Sequence, residues 1–242
     1  MERSKVQWQV LYEDEDLLAI NKPPHLTVSR DRFGKPGLFE ELSELQGPGK
    51  RLYLIHRLDK DTSGIVLFAK NPSAHRALSL QFQHRQVQKT YLALVEGRMK
   101  ERRGVVDAPL LSMSSPPIRM KVSPQGKPSR TTYRVGRVFR GISLLWVRPE
   151  TGRMHQVRAH LSSIGHPIVG DLTYGGSEAL FLSGLKKGYR KKRIEEKPLI
   201  KRLALHARRL KFTHPSKGSV LTLRAPLPKD FSVTVKQLLK SP

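Results

Sequence analysis

The feature that most restricts the fold of this chain is an irregular alternation of short apolar runs with amphipathic segments. Each run has five to nine residues, a length typical of strands, and turn residues such as Pro23-Pro24 and Gly141 separate them. The predicted strands are 6–12, 17–21, 65–69, 91–95, 130–138, 143–148 and 220–224. Because strands and helices alternate without a strict βαβ rhythm, the sequence predicts an α+β protein with a mixed, largely antiparallel central sheet flanked by helices.

Four helices are predicted, and one of them has a well-defined start. Asn71 and Pro72 are typical of the first residues of a helix, where asparagine caps unpaired amides and proline has none to leave unpaired. From there Ala74, Leu78 and Phe82 recur at a spacing of four residues and form one apolar face to about residue 85. The other predicted helices are 38–45, 154–164 and 231–239.

The predicted helix 154–164 places polar side chains beside its apolar face. Its apolar residues are Met154, Val157, Leu161 and Ile164, which follow the spacing of an amphipathic helix. Gly165 and Pro167 are typical of a helix end. On a helical projection His155 and Arg158 lie along one edge of the apolar face, so Arg158 can point along the body of the protein.

The domain organisation is predicted to be simple. We expect one domain over residues 1–242, with a core at about 10–230. Residues 98–129 are rich in proline, serine and basic side chains, and we expect an extended or loop-dominated excursion there. Residues 177–202 form a basic insertion, in which six of the eight residues 186–193 are lysine or arginine.

The chain has a large excess of positive charge. It has 45 Lys and Arg against 20 Asp and Glu, a formal net charge of +25. The excess lies after residue 46, because residues 1–46 have a net charge of −3 and the remainder +28. Such a charge attracts polyanions, so nucleic acid is the expected partner. An anionic membrane surface would also fit, but a long basic amphipathic helix is missing from the sequence.

Several other classes are excluded or disfavoured. With no cysteine, the chain has no disulfide, thiolate metal site or cysteine nucleophile. No apolar run approaches the ~20 residues of a membrane helix, and the first residues lack a signal core. His155 and His160 are five residues apart, unlike the pair four apart on a zinc-binding helix. We therefore expect a cytoplasmic protein with no metal and no membrane association.

The segment 56–64, HRLDKDTSG, has the highest density of reactive side chains. Two carboxylates, two hydroxyls and several cations lie on a loop that two apolar runs hold at its ends. An arbitrary loop of this composition would be a solvated turn. A kinase catalytic loop is a second interpretation, but the residue order differs and no glycine-rich phosphate loop precedes it.

This segment closely resembles the motif of the RluA family of RNA pseudouridine synthases, in which the Asp of HRLD is catalytic. The resemblance therefore implies that Asp59 is the catalytic carboxylate and Asp61 a structural neighbour. It extends in order over about residues 10–230, and no S4-type RNA-binding domain is expected before residue 10. The other matching segments are INKP at 20–23, KTY at 89–91, ETGRMHQVR at 150–158, GHPIVGD at 165–171 and LHARRL at 205–210. Met154 departs from the family pattern, which has a small hydroxyl residue there.

The resemblance also implies roles for three substrate-binding residues. Arg57 would fill the stack that a flipped-out uridine leaves, Tyr91 would pack on the uracil ring, and Arg158 would pair with Asp59. By residue type alone, Tyr91 could equally be a core tyrosine of its strand, and a random arginine at 158 would be a surface cation. Further RNA contacts are expected, with less support, from His56, Lys89, His155, Lys186, Lys187, Arg190 and Lys191.

The implied reaction isomerises uridine to pseudouridine in tRNA or rRNA, without a cofactor. Asp59 could attack C1′ of the ribose or remove the 2′ proton to give a glycal, and the sequence does not choose. Ionised Asp59 would be stabilised by a guanidinium nearby. The default expectation for the oligomeric state is a monomer.

Two other functions compete with this one. The first is a catalytically inactive RluA-like protein that binds RNA or assists ribosome assembly. The second is a basic RNA-binding protein without catalytic ancestry. The presence of Asp59, Tyr91 and Arg158 disfavours both, because binding alone does not need a carboxylate at the centre of a cationic cleft, where it repels phosphate.

Overall fold

The structure, a computed structural model, describes residues 8–47, 49–113, 118–185 and 195–240. Their chain forms two compact units. The first unit comprises the residues up to Lys89 together with Ala207–Pro226, and the second comprises Thr90–His206 and the residues from Leu227 onward. The single domain over 1–242 stays a prediction.

The helices and strands of the described residues follow one another without a repeating unit. The strands are β1 (Gln9–Glu13), β2 (Leu17–Lys22), β3 (Tyr53–Leu54), β4 (Ser63–Ala69), β5 (Gln88–Glu96), β6 (Arg103–Asp107), β7 (Leu110–Ser112), β8 (Met120–Val122), β9 (Arg130–Val138), β10 (Ile142–Pro149), β11 (Leu205–Thr213) and β12 (Val220–Arg224). The helices are α1 (Leu38–Leu45), α2 (Pro72–Gln83), α3 (Gln156–Ser163), α4 (Leu182–Leu185) and α5 (Lys229–Leu239), with a 3₁₀ turn at Leu172–Tyr174.

The first unit is built on a sheet in which β2 and β4 are central. β2 pairs with β1 and β4, β3 pairs with β4, and β11 pairs with β12, all in antiparallel register. Every residue of β4 is buried, as expected for a strand covered on both faces. The predicted capping of α2 is confirmed: Asn71 Oδ1 accepts a hydrogen bond from the amide of Ala74 at 2.8 Å, and Ala74 and Leu78 are buried.

Within the second unit β5, β10, β9 and β6 are antiparallel neighbours in that order. The short strands β7 and β8 form a separate pair. The predicted strands 130–138 and 143–148 and the predicted turn at Gly141 are confirmed: β9 and β10 form an antiparallel hairpin, with Gly141 at φ +71° in its turn. Helix α3 packs on β8, β9 and β10, and its Val157 and Leu161 join the apolar core of this unit. These pairings confirm the predicted α+β class with a largely antiparallel sheet.

Two local expectations differ from the structure. The excursion at 98–129 is more regular than predicted, because its described residues contain β6, β7 and β8. The apolar face of α3 does not begin at Met154, whose side chain is 43% exposed. The helix begins at Gln156, since the preceding His155 adopts a left-handed backbone, φ +50°. The Gln156 side chain fixes that turn by accepting hydrogen bonds from Thr151 Oγ1 at 2.7 Å and the Arg153 amide at 3.0 Å.

None of the helices in the described part of the chain combines the length and apolar character needed to cross a membrane.

Candidate active site

The loop that carries Asp59 joins β3 to β4 in the first unit. The amide of Thr62 donates to the carbonyl of Asp59 at 3.1 Å and closes a turn there. Gly64, which ends the motif, has φ +116°, and a Cβ on it would lie 2.3 Å from the carbonyl oxygen of Ala207. Only glycine fits at this position, which explains the glycine at the end of HRLDKDTSG.

A buried lysine anchors the same loop. The side chain of Lys22 is fully buried, and its Nζ donates to the carbonyl oxygens of Pro23 at 2.9 Å, Leu26 at 2.8 Å and Lys60 at 3.0 Å. Carbonyl oxygens thus replace water around the ammonium, as a buried charge requires. Because Lys60 follows Asp59, this contact holds the main chain beside the candidate catalytic residue. Lys22 has no role predicted from the sequence, since lysines are mostly exposed.

Three charged side chains of the loop, Arg57, Asp59 and Asp61, differ in exposure. Asp59 is half-buried and Arg57 is exposed. Asp61 Oδ1 lies 2.8 Å from His25 Nδ1, and both side chains are substantially exposed. Asp61 therefore has a partner at the surface, and its role as a structural neighbour of Asp59 stays a prediction.

His56, the first residue of the motif, is half-buried and is held by two contacts within the first unit. Its Nε2 accepts the amide of Leu67 at 3.1 Å, and its ring stacks on Phe82 at 4.8 Å between centroids. Burial and the positive charge of Lys89 lower the pKa of His56 to about 3. Burial also lowers the pKa of Lys89. His56 is thus neutral at physiological pH, and the RNA contacts of these two residues stay predictions.

The second unit contributes Tyr91, His155 and Arg158. Tyr91 is half-buried on β5 and packs against the core of this unit. His155 directly precedes α3, and its Nδ1 lies 3.1 Å from the hydroxyl oxygen of Tyr174. The left-handed backbone of His155 directs the chain into α3, on which Arg158 stands.

Arg158 has a buried carboxylate partner that was not predicted from the sequence. Its Nε donates to Asp171 Oδ2 at 2.7 Å and its Nη2 donates to Asp171 Oδ1 at 2.8 Å. The guanidinium carbon also lies 4.9 Å from the centre of the Tyr174 ring. Asp171 ends the segment 165–171 that resembles the RluA family, but no periodicity in the sequence connects it to Arg158. The predicted ion pair between Arg158 and Asp59 stays a prediction.

Four of the expected RNA contacts, Lys186, Lys187, Arg190 and Lys191, lie outside the described residues.

One cluster of the first unit has the side chains of a metal site. Ligand atoms of Asp14, Asp16 and His214 lie within 4.8 Å of one another. However, His214 Nε2 lies 2.8 Å from Asp14 Oδ2, and the Lys217 ammonium donates to the same oxygen at 2.9 Å. A cation already neutralises Asp14, so we interpret the cluster as a hydrogen-bonded tie between distant parts of the chain.

Comparison with known proteins identifies the family. Residues 16–163 match the model of a family described as RNA pseudouridylate synthase, which is more than half of the 242 residues. The chain belongs to the RNA pseudouridylate synthase family.

Curated relatives narrow the likeness further. The chain is 40% identical over 222 residues to the ribosomal large subunit pseudouridine synthase C of Salmonella typhi, covering 91% of this chain and 66% of the relative. It is 38% identical over 231 residues to the protein of the same name from Escherichia coli K12, covering 95% and 69%. The resemblance to the RluA family is thereby confirmed, and the chain spans about two thirds of the length of these relatives.

Two solved human structures share the fold. RNA Pseudouridylate Synthase Domain Containing 4 has a TM-score of 0.72 and 26% sequence identity, covering 95% of this chain and 92% of that one. RNA Pseudouridylate Synthase Domain Containing 1 has a TM-score of 0.70 and 31% identity, covering 94% and 87%. The predicted fold class is that of these proteins.

Proposed function

We propose that this protein isomerises uridine to pseudouridine in structured RNA and that Asp59 is its catalytic carboxylate. The observation that carries the proposal is the loop of Asp59, whose main chain is held by Lys22 and by the turn to Thr62 in a chain of the RNA pseudouridylate synthase family. The relatives are named for the ribosomal large subunit, so its RNA is the first substrate to test, and tRNA is the second. We further propose that the protein is a monomer and that it acts in the cytoplasm without a cofactor or metal.

The reaction needs only acid–base and nucleophilic groups. The N1–C1′ bond of uridine breaks, the uracil turns, and C5 bonds to C1′, while the hydrogen of C5 leaves as a proton and N1 gains one. Asp59 would either attack C1′ or remove the 2′ proton. Both routes need an ionised carboxylate, and a guanidinium beside it would favour that form. Arg158 is proposed for this role.

The target uridine has to leave its stack before Asp59 can reach the sugar. Extrusion costs a few kcal/mol. Arg57 is exposed and stands two residues before Asp59, so its planar guanidinium is proposed to stack in the vacated position. Tyr91, half-buried on β5, is proposed to pack its ring on the extruded uracil. The remaining phosphate contacts are proposed to come from Lys89, His155 and the basic insertion 177–202.

The test measures tritium release from large-subunit ribosomal RNA labelled at C5 of uridine. We expect Asp59→Asn to lower the rate by at least about 1,000-fold, because the nucleophile or base is removed while the shape is kept. Asp61→Asn is the matched control, since it removes a carboxylate from the same loop, and its rate should stay within about threefold of wild type. Circular dichroism checks that both variants are folded.

Two results would contradict the proposal. Equal release by wild type and Asp59→Asn would remove Asp59 from the reaction. RNA binding by the wild type without release from ribosomal RNA or tRNA would instead support a non-catalytic RNA-binding protein.

A further inference from the structure

The ion pair between Arg158 and Asp171 fixes the orientation of the Arg158 guanidinium. Both of its hydrogen bonds are short, 2.7 and 2.8 Å, and they run side by side from Nε and Nη2 to the two carboxylate oxygens. The Asp171 side chain is fully buried and that of Arg158 is 11% exposed. A bidentate pair defines the plane of the guanidinium as well as its position.

Asp171 is itself held by its main chain. Its amide donates to the carbonyl of Ile168 at 3.1 Å, and its carbonyl accepts the amides of Tyr174 at 3.1 Å and Gly176 at 2.9 Å. The preceding Gly170 has φ +80°, and a Cβ on it would collide with the carbonyl oxygen of Arg202. Asp171 therefore stands on a rigid turn, and the carboxylate sets the position of the guanidinium rather than following it.

Tyr174 supports the same guanidinium from one face. The ring centre lies 4.9 Å from the guanidinium carbon, a cation–π distance. The hydroxyl oxygen accepts the amide of Met120 at 2.8 Å, and the carbonyl of Tyr174 accepts the hydroxyl of Ser162 at 2.7 Å. The ring is fixed at both ends, so Arg158 is confined by a carboxylate at its edge and an aromatic ring at its face.

A guanidinium has five N–H groups and can bind carboxylates on two edges. Asp171 occupies the edge formed by Nε and Nη2. The second edge, formed by Nη1 and Nη2, then points in a direction that Asp171 and Tyr174 determine. We infer that Asp171 is a positioning residue that fixes the orientation of the Arg158 guanidinium, and with it this second edge, for the role proposed for Arg158 in the reaction. The inference rests on the proposed function of Arg158.

The second unit contains a matched pair for comparison. Arg202 Nε donates to Asp230 Oδ2 at 2.6 Å and its Nη2 donates to Asp230 Oδ1 at 2.8 Å, the same edge and the same geometry. Arg202 uses a further N–H, on Nη1, to bind the carbonyl of Leu203 at 2.8 Å. Asp230 lies in the first turn of α5, so this pair ties that helix to the chain before β11.

The test combines kinetics with a double-mutant cycle. We expect Asp171→Asn to lower kcat for tritium release at least about tenfold with KM within about threefold, in protein shown to be folded. In an Arg158→Lys background, where the bidentate pair is already lost, Asp171→Asn should change kcat by less than about twofold. Asp230→Asn should leave kcat per folded protein unchanged. If Asp171→Asn does not fold, Asp171→Glu, which keeps the charge but shifts it, should show the same fall in kcat.

A readout without catalysis completes the test. In the NMR spectrum of ¹⁵N-labelled protein, the Nε–H signal that Arg158→Lys removes should be protected from exchange in the wild type and lose its protection in Asp171→Asn. The inference would be overturned if Asp171→Asn lowered kcat by the same factor in the wild type and in Arg158→Lys. It would also be overturned if the Arg158 Nε–H stayed protected from exchange in Asp171→Asn. Both results would count even if Asp59 proves catalytic. Absence of tritium release from the wild type would overturn the proposed function instead, and the NMR result would still decide whether Asp171 orients Arg158.

Discussion

The first unit contains two regions of clustered charge, the Asp14 cluster (Asp14, Asp16, His214 and Lys217) and the loop 56–62. The first is held together by hydrogen bonds to a side chain, and the second by hydrogen bonds to its main chain. Asp14 accepts hydrogen bonds from the hydroxyl of Tyr12 at 2.7 Å, from His214 and Lys217, and from the amides of Asp16 and Leu17, both at 2.9 Å. Burial raises the pKa of Asp14, but these hydrogen bonds outweigh it, so the pKa lies well below the usual range. Its side chain holds the structure together.

The loop 56–62 is held by its main chain. Lys22 binds the carbonyl of Lys60, and the amide of Thr62 binds the carbonyl of Asp59. A carboxylate with a strongly shifted pKa is often taken as a sign of catalysis, yet the pKa shift of Asp14 comes from hydrogen bonds that hold the structure together. A carboxylate with about four acceptor positions and five donors has none left for a substrate. The comparison teaches that the donors around an acid decide its role more than its pKa does.

The largest expected difference between the two regions is in the free energy of unfolding after a carboxylate is neutralised. We expect Asp14→Asn to lower the free energy of unfolding by about 2 kcal/mol, because it weakens three side-chain hydrogen bonds and leaves buried donors poorly paired. Tritium release per folded protein should stay within about threefold of wild type. Urea unfolding at neutral pH measures the first quantity, and a loss of activity without a loss of stability would break the comparison.

The stability of Asp14→Asn relative to wild type at low pH follows from the linkage between folding and proton binding. Since the folded pKa of Asp14 is lowered, its stabilisation is fully present above the unfolded pKa, 3.8, and is lost as the pH falls below that value. The difference in stability between wild type and Asp14→Asn should therefore shrink below about pH 4. A difference that stays constant down to pH 2.5 would contradict this assignment.

An intermediate effect is expected from His56 in the loop region. Its pKa is lowered to about 3, so between about pH 6.5 and pH 3 the unfolded chain binds a proton that the folded protein does not. Stability is therefore lost as the pH falls from 6.5. We expect His56→Gln, whose side chain can still accept the Leu67 amide, to lose about 1 kcal/mol less than wild type between about pH 7 and pH 5.5.

A histidine of the second unit provides the control for that experiment. Burial also lowers the pKa of His160, so the wild type has more than one source of acid sensitivity. His160→Gln should remove the part of the acid-induced loss of stability that comes from His160 and leave the part that comes from His56. If His56→Gln and wild type have parallel stability curves from pH 7 to pH 5, the neutral buried state of His56 is wrong.

Local patterns predicted much of the fold. The turn at Gly141, the strand at 65–69 and the start of α2 depend on neighbouring residues, such as Asn71 and the amide of Ala74. The start of α3 was missed because it depends on a left-handed residue, His155, that periodicity does not reveal. The excursion 98–129 was judged by its proline and serine content, although its described strands pair with partners such as β9.

The candidate site shows the same division. Asp59 and the terminal Gly64 belong to one contiguous motif, so the sequence was sufficient to select them. Lys22 and Asp171 were not assigned a role because each contacts a residue of a different sequence segment, Lys60 and Arg158. A sequence motif identifies residue types, whereas the partner of a buried charge is set by tertiary packing.

The smallest expected effect concerns Asp61, the second carboxylate of the loop. Its partner His25 is 61% exposed and Asp61 itself 48%, so water screens the pair and its contribution to stability is expected to be below about 0.5 kcal/mol. Asp61→Asn should therefore unfold in urea almost as wild type does at pH 7, and the small difference should disappear in about 1 M salt, where the Debye length is about 3 Å. Asp14→Asn removes the same charge from a carboxylate that accepts five hydrogen bonds. The difference in stability between the two variants therefore measures the effect of those hydrogen-bond donors. A loss for Asp61→Asn as large as that for Asp14→Asn would show that the loop, too, is held through its carboxylates, and the contrast between the two regions would fail.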